Sequence, residues 1–245
     1  MFRFLLSRRW VLFFLFVAAL GLACWRLGVW QFDRLEERRT ENAIIERNLD
    51  APAVPVTRVM HPDRPLPERQ LYRKVTATGT YNVADETVVR YWTRDGQPGV
   101  EVLTPLRTAS GSTVLVDRGW VPSSNDPTVH VDPPDPAPGR VTVTGWAVPD
   151  MTGEHDEVTP LHGEVRLVSS RGFAGTIRGP LLHGYISATD ETPEPRRRLA
   201  PPEPPDLSDG PHFFYGLQWW FFGALAVGGF GYFAYAESRD RRRSG

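Results

Sequence analysis

Two apolar stretches near the ends of the chain decide the fold: WVLFFLFVAALGLACWRLGVW at residues 10–30 and FFYGLQWWFFGALAVGGFGYFAYA at residues 213–236. A helix of about 20 apolar residues spans the roughly 30 Å hydrocarbon core of a bilayer, because each residue adds about 1.5 Å. Both stretches are therefore predicted to be transmembrane helices. The residues between them are polar and rich in proline, which predicts a folded domain outside the bilayer.

The first stretch is interpreted as an uncleaved membrane anchor rather than a secretory signal. Arg3, Arg8 and Arg9 precede it, as basic residues precede a signal sequence. However, the apolar run is longer than that of a signal, and its outer end lacks a small-x-small cleavage site. Trp10 and Trp30, at its two ends, resemble the aromatic belts of membrane interfaces.

Charge bias predicts the topology, because basic residues next to a span favour its cytoplasmic side. Residues 1–9 contain three arginines and residues 237–245 contain four. Both tails are therefore predicted to lie in the cytoplasm, with the central domain outside the plasma membrane. The predicted organisation is a cytoplasmic tail (1–9), a span (10–30), an extracytoplasmic domain (31–211), a second span (212–236) and a cytoplasmic tail (237–245).

The central domain contains short strand-like runs separated by turn signals such as Asp95-Gly96. The spacing of these runs predicts a compact, mostly antiparallel β-rich domain that resembles a small barrel. Alternation of apolar and polar residues from Arg140 to Trp146 predicts that one face of that strand is buried. The predicted strands cover residues 72–81, 86–92, 100–106, 113–121, 140–148, 164–169 and 182–187.

The segments around the strands have patterns of their own. Residues 31–49 carry apolar side chains at roughly helical spacing, which predicts that they continue the first span as a helix. Pro52 is expected to end this helix. The proline-rich residues 132–139 and 192–205 are predicted to be extended surface loops.

Charge, cysteine content and missing motifs exclude several classes of protein. Residues 31–211 contain 20 Lys and Arg against 27 Asp and Glu, a net charge of −7, so nucleic acid is not an expected partner. The only cysteine, Cys24, lies in the first apolar stretch, which leaves no thiolate copper site outside the membrane. The absence of HExxH, GxSxG, Walker A and GxGxxG patterns gives no support to a hydrolase or nucleotide enzyme.

His212 is the first candidate for a binding residue, because it lies at the outer end of the second span. Tyr215 and Trp219 follow it at i+3 and i+7, on the same helical face. A neutral imidazole is a good axial ligand for haem iron, and aromatic side chains pack against a porphyrin. The competing interpretation is a histidine that only anchors the helix in an interfacial aromatic belt.

The first span offers two further features. Gly21, Cys24 and Gly28 form a face of small residues, which is predicted to pack on the second span or on a helix of a partner. Arg26 lies near the outer boundary of the span. Its guanidinium either extends to the interface or pairs with a carboxylate such as a haem propionate.

In the central domain, Asp117 and Arg118 are adjacent at the end of an apolar run. They point to opposite faces of a regular strand, so each needs its own partner, and a structural role is favoured over catalysis. His155 and His162 lie in an acidic segment that is interpreted as a solvated loop rather than a metal site.

Several motifs together resemble those of the Surfeit locus protein 1 family. LGVWQFDR at residues 27–34 is similar to the family signature LGxWQxxR. The motifs occur in the order of the family and cover the whole chain, with both predicted spans in place. The others are YRKV (72–75) with GTY (79–81), TPL (104–106), VDRGWVP (116–122) and GPHFFYGLQWW (210–220).

This resemblance implies an assembly factor for haem-copper cytochrome c oxidase that handles haem a on its way into the catalytic subunit. In the family, the histidine at the start of the second span is the proposed haem ligand, and it corresponds to His212 here. Tyr215 and Trp219 fall on the family pattern H-x-x-Y-x-x-x-W, whereas Trp220 stands where Phe is common.

The sequence therefore predicts a two-span plasma-membrane protein, not an enzyme, that binds or positions haem a for the oxidase catalytic subunit. His212 is the predicted axial ligand, Tyr215 and Trp219 pack beside it, and Arg26 or Arg34 pairs with a propionate. Enzymes of haem a synthesis and membrane lipid are further expected partners. The alternatives are a scaffold that stabilises an oxidase assembly intermediate without haem, a copper-delivery factor and an envelope enzyme.

Overall fold

The computed structural model of the protein describes residues 3–124, 126 and 129–243. The chain divides into two units. The helical unit lies within Met1–Asn42 and Leu207–Gly245, and the sheet unit covers Ala43–Asp206. Residues 1–2 and 244–245, at the ends of the two predicted cytoplasmic tails, lie outside the described residues.

Helix α1 (Arg8–Asp50) is 43 residues long. The prediction that residues 31–49 continue the first apolar stretch as a single helix is confirmed. The helix ends just before Pro52, whose ring does not fit a helix interior. In the described part of the chain, α1 is the one helix that is both long and apolar enough to cross a membrane.

The sheet unit contains strands that form a single sheet in the order β1-β2-β6-β8-β5-β4-β3-β7. Two short helices, α2 (His155–Val158) and α3 (Ser170–Phe173), lie between the last strands. The strands are β1 (Val54–Pro55), β2 (Arg73–Tyr81), β3 (Thr87–Arg94), β4 (Gln97–Thr108), β5 (Thr113–Pro122), β6 (Arg140–Val148), β7 (Glu164–Val165) and β8 (Leu181–Thr192).

Most strand pairs are antiparallel, as predicted. The pairs β2–β4, β2–β6, β3–β4, β4–β5 and β6–β8 are antiparallel, whereas β1–β2, β3–β7 and β5–β8 are parallel. Because β2 pairs with both β6 and β4, the series of pairings β2-β6-β8-β5-β4 returns to β2. The parallel pair β5–β8 is possible because a long connection separates these strands in the sequence.

Several predicted strand boundaries are wrong: the strand predicted at 100–106 is β4 at Gln97–Thr108, and the one predicted at 86–92 is β3 at Thr87–Arg94. The run at residues 164–169 forms only the two-residue strand β7, and helix α3 begins at Ser170. Ser170 donates to both carboxylate oxygens of Asp150, at 2.6 and 2.7 Å, which holds this turn out of the sheet. The last strand, predicted at 182–187, extends as β8 to Thr192 because its polar end still pairs with β6.

Side-chain alternation positions the core of the sheet unit. In β6, the apolar Val141, Val143 and Ala147 are buried, so the prediction of one buried face is confirmed. The prediction of a surface loop at 132–139 is wrong in part. Ala137 is buried in the same core cluster, because its small apolar side chain fits among the core residues.

Helix α4 (His212–Arg243) ends the described chain, so the second apolar stretch is helical as predicted. Residues 213–236 include five glycines, two tryptophans and three tyrosines, so this apolar stretch contains fewer strongly apolar side chains than a typical membrane span does. Whether α4 crosses a membrane is untested and stays a prediction.

Candidate functional site

In the helical unit, α1 and α4 pack against each other along a seam of small residues. A Cβ on Gly28 would lie 2.1 Å from Trp220 Nε1, and one on Gly223 would lie 3.2 Å from the Cβ of Cys24. Cys24 is 2% exposed. The prediction that the small face of the first stretch packs on the second is therefore confirmed, and Cys24 acts as a small buried residue.

The spacing of buried residues explains this packing. Residues that recur every 3.5 positions on average form a continuous stripe along a helix, which lets two helices pack side by side over many turns. The buried residues of α1 in the helical unit form two series in which neighbours are seven residues, or two turns, apart. The first series is Trp10, Val17 and Cys24, and the second is Gly28, Leu35 and Asn42.

His212 is the first residue of α4 and is half-buried beside α1. Its Nδ1 lies 2.8 Å from the side-chain oxygen of Gln31 on α1. An amide oxygen only accepts hydrogen bonds, so Nδ1 of the neutral ring donates to it. Within the described residues, Nε2 has no hydrogen-bond partner.

Residues 207–209, just before His212, form hydrogen bonds and an ion pair with α1. Asn42 donates to the carbonyl oxygens of Leu207 and Ser208, at 2.8 and 3.3 Å. Arg39 pairs with Asp209 at 2.7 Å. The hydrogen bond from Arg39 and its positive charge lower the pKa of Asp209 below the usual range, so this ion pair persists to lower pH than one with an ordinary aspartate. These contacts fix where α4 begins relative to α1.

Aromatic residues occupy both flanks of the seam. On one flank, Trp220 stacks on Trp25 with ring centres 5.5 Å apart and also contacts Phe32. Tyr215 and Trp219 lie on the other flank, one and two turns after His212. Tyr215 is 47% exposed and Trp219 is half-buried. By helical spacing, these two residues lie on the face of α4 that carries His212.

The two candidate arginines lie on different sides of α1. Arg34 follows Gln31 by one turn, so it lies on the flank that carries His212. Its guanidinium pairs with Glu37 at 2.6 Å and lies 6.0 Å from the ring centre of Trp30. Arg26 is exposed and lies on the opposite side of α1 from the buried seam. The structure does not bring Arg26 to His212.

In the sheet unit, Asp117 and Arg118 in the middle of β5 have separate partners, as expected. Arg118 pairs with Glu86 at 2.9 Å and donates to the carbonyl oxygen of Pro134 at 2.9 Å. Asp117 accepts a hydrogen bond of 3.0 Å from the backbone N–H of Gly119. Both side chains are buried and engaged, which fits a structural role.

A second carboxyl group neighbours Asp117 inside the sheet unit. Burial raises the pKa of Asp117 well above its usual range, and the negative charge of Glu101 raises it further. Burial also raises the pKa of Glu101, although its ion pair with Arg94 at 2.6 Å opposes this. Two buried carboxyls with one arginine favour a state in which one of them keeps its proton.

The other histidines are also candidate metal ligands. Among the described residues, no group of three or more His, Cys, Asp or Glu side chains is arranged to hold an ion. His155, the first residue of α2, contacts Thr159 at 3.3 Å. His183 lies 3.3 Å from Asp150, a contact that the sequence pattern did not indicate.

Gln31 is the residue of the candidate site that sequence reasoning missed. It lies inside the LGVWQFDR motif, so the motif contained the signal. Gln31 and His212 are 181 positions apart, however, and no local pattern indicates that they meet. Their contact depends on the register between α1 and α4.

Comparisons with known proteins show the family of the chain. The SURF1 family model matches residues 18–224, which include Gln31, the sheet unit and His212. A SURF1-like protein of Mycobacterium bovis is 35% identical over 247 residues, which cover 98% of this chain and 89% of that protein. The cytochrome oxidase assembly protein SHY1 of Saccharomyces cerevisiae is 32% identical over 104 residues, 42% of this chain and 26% of SHY1. Because the match spans both long helices and the sheet between them, the chain belongs to the SURF1 family.

Proposed function

We propose that this protein assists the assembly of cytochrome oxidase by binding haem a transiently through His212. The oxidase role rests on the SURF1 family and on the yeast relative named as a cytochrome oxidase assembly protein. The observation that carries the haem role is the half-buried imidazole of His212, which leaves Nε2 without a partner in the described part of the chain.

The residues around His212 fit a haem. A haem would supply an iron for Nε2 and a large apolar ring edge for the neighbouring aromatic side chains. Tyr215 and Trp219 offer such a surface on the flank of α4 that carries His212. Arg34, one turn beyond Gln31, is a candidate to pair with a propionate, whereas Arg26 faces the other side of α1 and is the weaker candidate.

The proposed location is the plasma membrane. In this proposal α1 and α4 both cross the bilayer, with spans at 10–30 and 212–236, and the basic tails stay in the cytoplasm. The domain at 31–211 is then extracytoplasmic, and its ring of strand pairings forms a small barrel. The aromatic residues beside His212 lie at the outer interface, where Trp and Tyr are favoured.

The proposed role is that of an assembly factor rather than an enzyme. Its partners are the catalytic subunit of the oxidase, which receives the haem, the enzymes that make haem a, and membrane lipid. A site that binds haem only transiently needs no more than moderate affinity, because the haem must dissociate again. One protein ligand on an exposed flank suits such a transfer better than an enclosed cavity.

The test is an absorption spectrum of the detergent-purified protein, co-expressed with a haem a synthesis pathway. The wild type is expected to show a reduced haem a band that His212→Ala loses. His130→Ala, which removes an exposed histidine of the sheet unit, is the matched control and is expected to keep the band. An equal band in wild type and His212→Ala contradicts the proposed ligand. No band in either, with oxidase still failing to mature in a deletion strain, favours a scaffold without haem.

A further inference from the structure

Gln31 is placed to decide which nitrogen of His212 is available for binding. The neutral imidazole carries one proton, on either Nδ1 or Nε2, and the other nitrogen holds the lone pair that binds a metal. The oxygen of Gln31 lies 2.8 Å from Nδ1. A proton on Nδ1 makes a hydrogen bond there, whereas a proton on Nε2 would leave two acceptors facing each other.

We propose that Gln31 is a positioning residue of the site: it holds His212 in the Nδ1–H form and fixes the ring, so that the lone pair of Nε2 points away from α1. The inference rests on the proposed function and deepens it. Histidines that bind metals almost always donate their other N–H to an acceptor in the protein, which fixes the ring and raises its basicity. Gln31 supplies that acceptor here.

The helix pairing holds Gln31 in place. Gly28 and Leu35, one turn on either side of it, are buried in the seam. A Cβ on Gly216, one turn after His212, would lie 2.7 Å from the ring of Phe32, so α4 approaches α1 closely beside Gln31. The hydrogen bond between Gln31 and His212 therefore forms only when the two helices are in register.

A glycine lies next to the ring edge that bears Nε2. Gly210 has a φ of +65°, a left-handed conformation that suits glycine. A Cβ at this position would lie 3.5 Å from Cδ2 and 3.8 Å from Nε2 of His212. These are ordinary van der Waals distances, so position 210 lies directly beside the ring edge that bears Nε2.

The first test needs no haem. The full chain is labelled with ¹⁵N-histidine, purified in detergent without haem and studied by NMR at about pH 8.5, where imidazole is neutral. The difference from the spectrum of His212→Ala isolates the signals of His212. We expect a proton on Nδ1 in the wild type and a mixture of both forms in Gln31→Ala. A wild type with its proton on Nε2 overturns the inference.

The second test is a titration of the same proteins with haem a. Gln31→Ala is expected to weaken binding by about 10- to 100-fold, as loss of such a hydrogen-bond partner does at metal sites. Gln31→Glu keeps an acceptor for Nδ1 and is expected to retain affinity. Gln218→Ala, which removes an exposed glutamine of α4, is the control and is expected to bind as the wild type does.

The outcomes separate this inference from the proposed function. If His212→Ala loses haem but Gln31→Ala binds as tightly as the wild type, the inference is overturned and the proposed function stands. If the wild type and His212→Ala bind haem equally, the proposed function fails. In that case the NMR signals of His212 still decide whether Gln31 selects its protonated nitrogen.

Discussion

Asp117, a buried carboxyl in the middle of β5, is expected to make the stability of the sheet unit depend on pH. Its folded pKa is raised because burial and the charge of Glu101 both disfavour its ionised form. The unfolded chain releases this proton near the ordinary pKa of about 3.9. Between the two pKa values the folded protein binds more protons, so stability falls as pH rises through this range.

Asp117→Asn is expected to remove this loss of stability with rising pH. Asparagine keeps an oxygen for the N–H of Gly119 and carries no charge beside Glu101. The thermal midpoint of the variant should exceed that of the wild type at alkaline pH, and the difference should shrink as pH falls toward about 4. Thermal unfolding of the purified protein across pH measures this, with Asp135→Asn as an exposed control. Parallel pH curves for the wild type and Asp117→Asn would contradict the prediction.

At the scale of elements, the seam between α1 and α4 depends on a close fit of an indole against a glycine. Trp220 fills the space that a side chain at position 28 would take. The same indole stacks on Trp25 and contacts Phe32. The packing of these three aromatic rings therefore requires that position 28 carry no side chain. Overpacking such a contact forces side chains or backbone to move.

Gly28→Ala is expected to destabilise the helix pair by about 1–3 kcal/mol, because its Cβ displaces Trp220. Gly228→Ala is the matched control, since no atom lies within 4 Å of a Cβ there and alanine favours a helix. Thermal unfolding in detergent, followed by tryptophan fluorescence, compares the two. Trp220→Ala added to Gly28→Ala should recover part of the loss. An unchanged midpoint in Gly28→Ala would show that the seam tolerates a methyl group.

At the scale of the whole molecule, the proposed topology places both tails on one side of the membrane and the sheet unit on the other. Both tails are rich in arginine, and the region between the spans carries a net charge of −7. A long domain crosses the membrane regardless of its own charge, so the tails decide the orientation.

Variants with one added cysteine test this topology directly. The native Cys24 is buried, so the wild type gives the background labelling. A membrane-impermeant maleimide applied to intact cells is expected to label Ser110→Cys, in the exposed turn between β4 and β5. Ser7→Cys and Arg239→Cys should be labelled only after the cells are opened. Labelling of Arg239→Cys in intact cells would mean that α4 does not cross the membrane as proposed.

Local patterns in the sequence were sufficient for several features. The helical spacing of residues 31–49 predicted the continuation of α1, and the alternation in residues 140–146 predicted the buried face of β6. Both signals arise within a few consecutive residues, because a helix and a strand repeat their side-chain directions locally. The run at 164–169 alternates only briefly, and the hydrogen bonds of Ser170 with Asp150 hold the chain in a turn directly after it.

The sequence by itself determined the two long helices, the positions of most strands and the choice of His212 as a candidate. Only the tertiary structure decided that Gln31 meets His212, that Trp220 fills the space at Gly28, and that β5 pairs in parallel with β8. The first group follows from interactions between near neighbours in the chain. The second depends on helix register and strand order, which are set by close packing between residues far apart in the sequence.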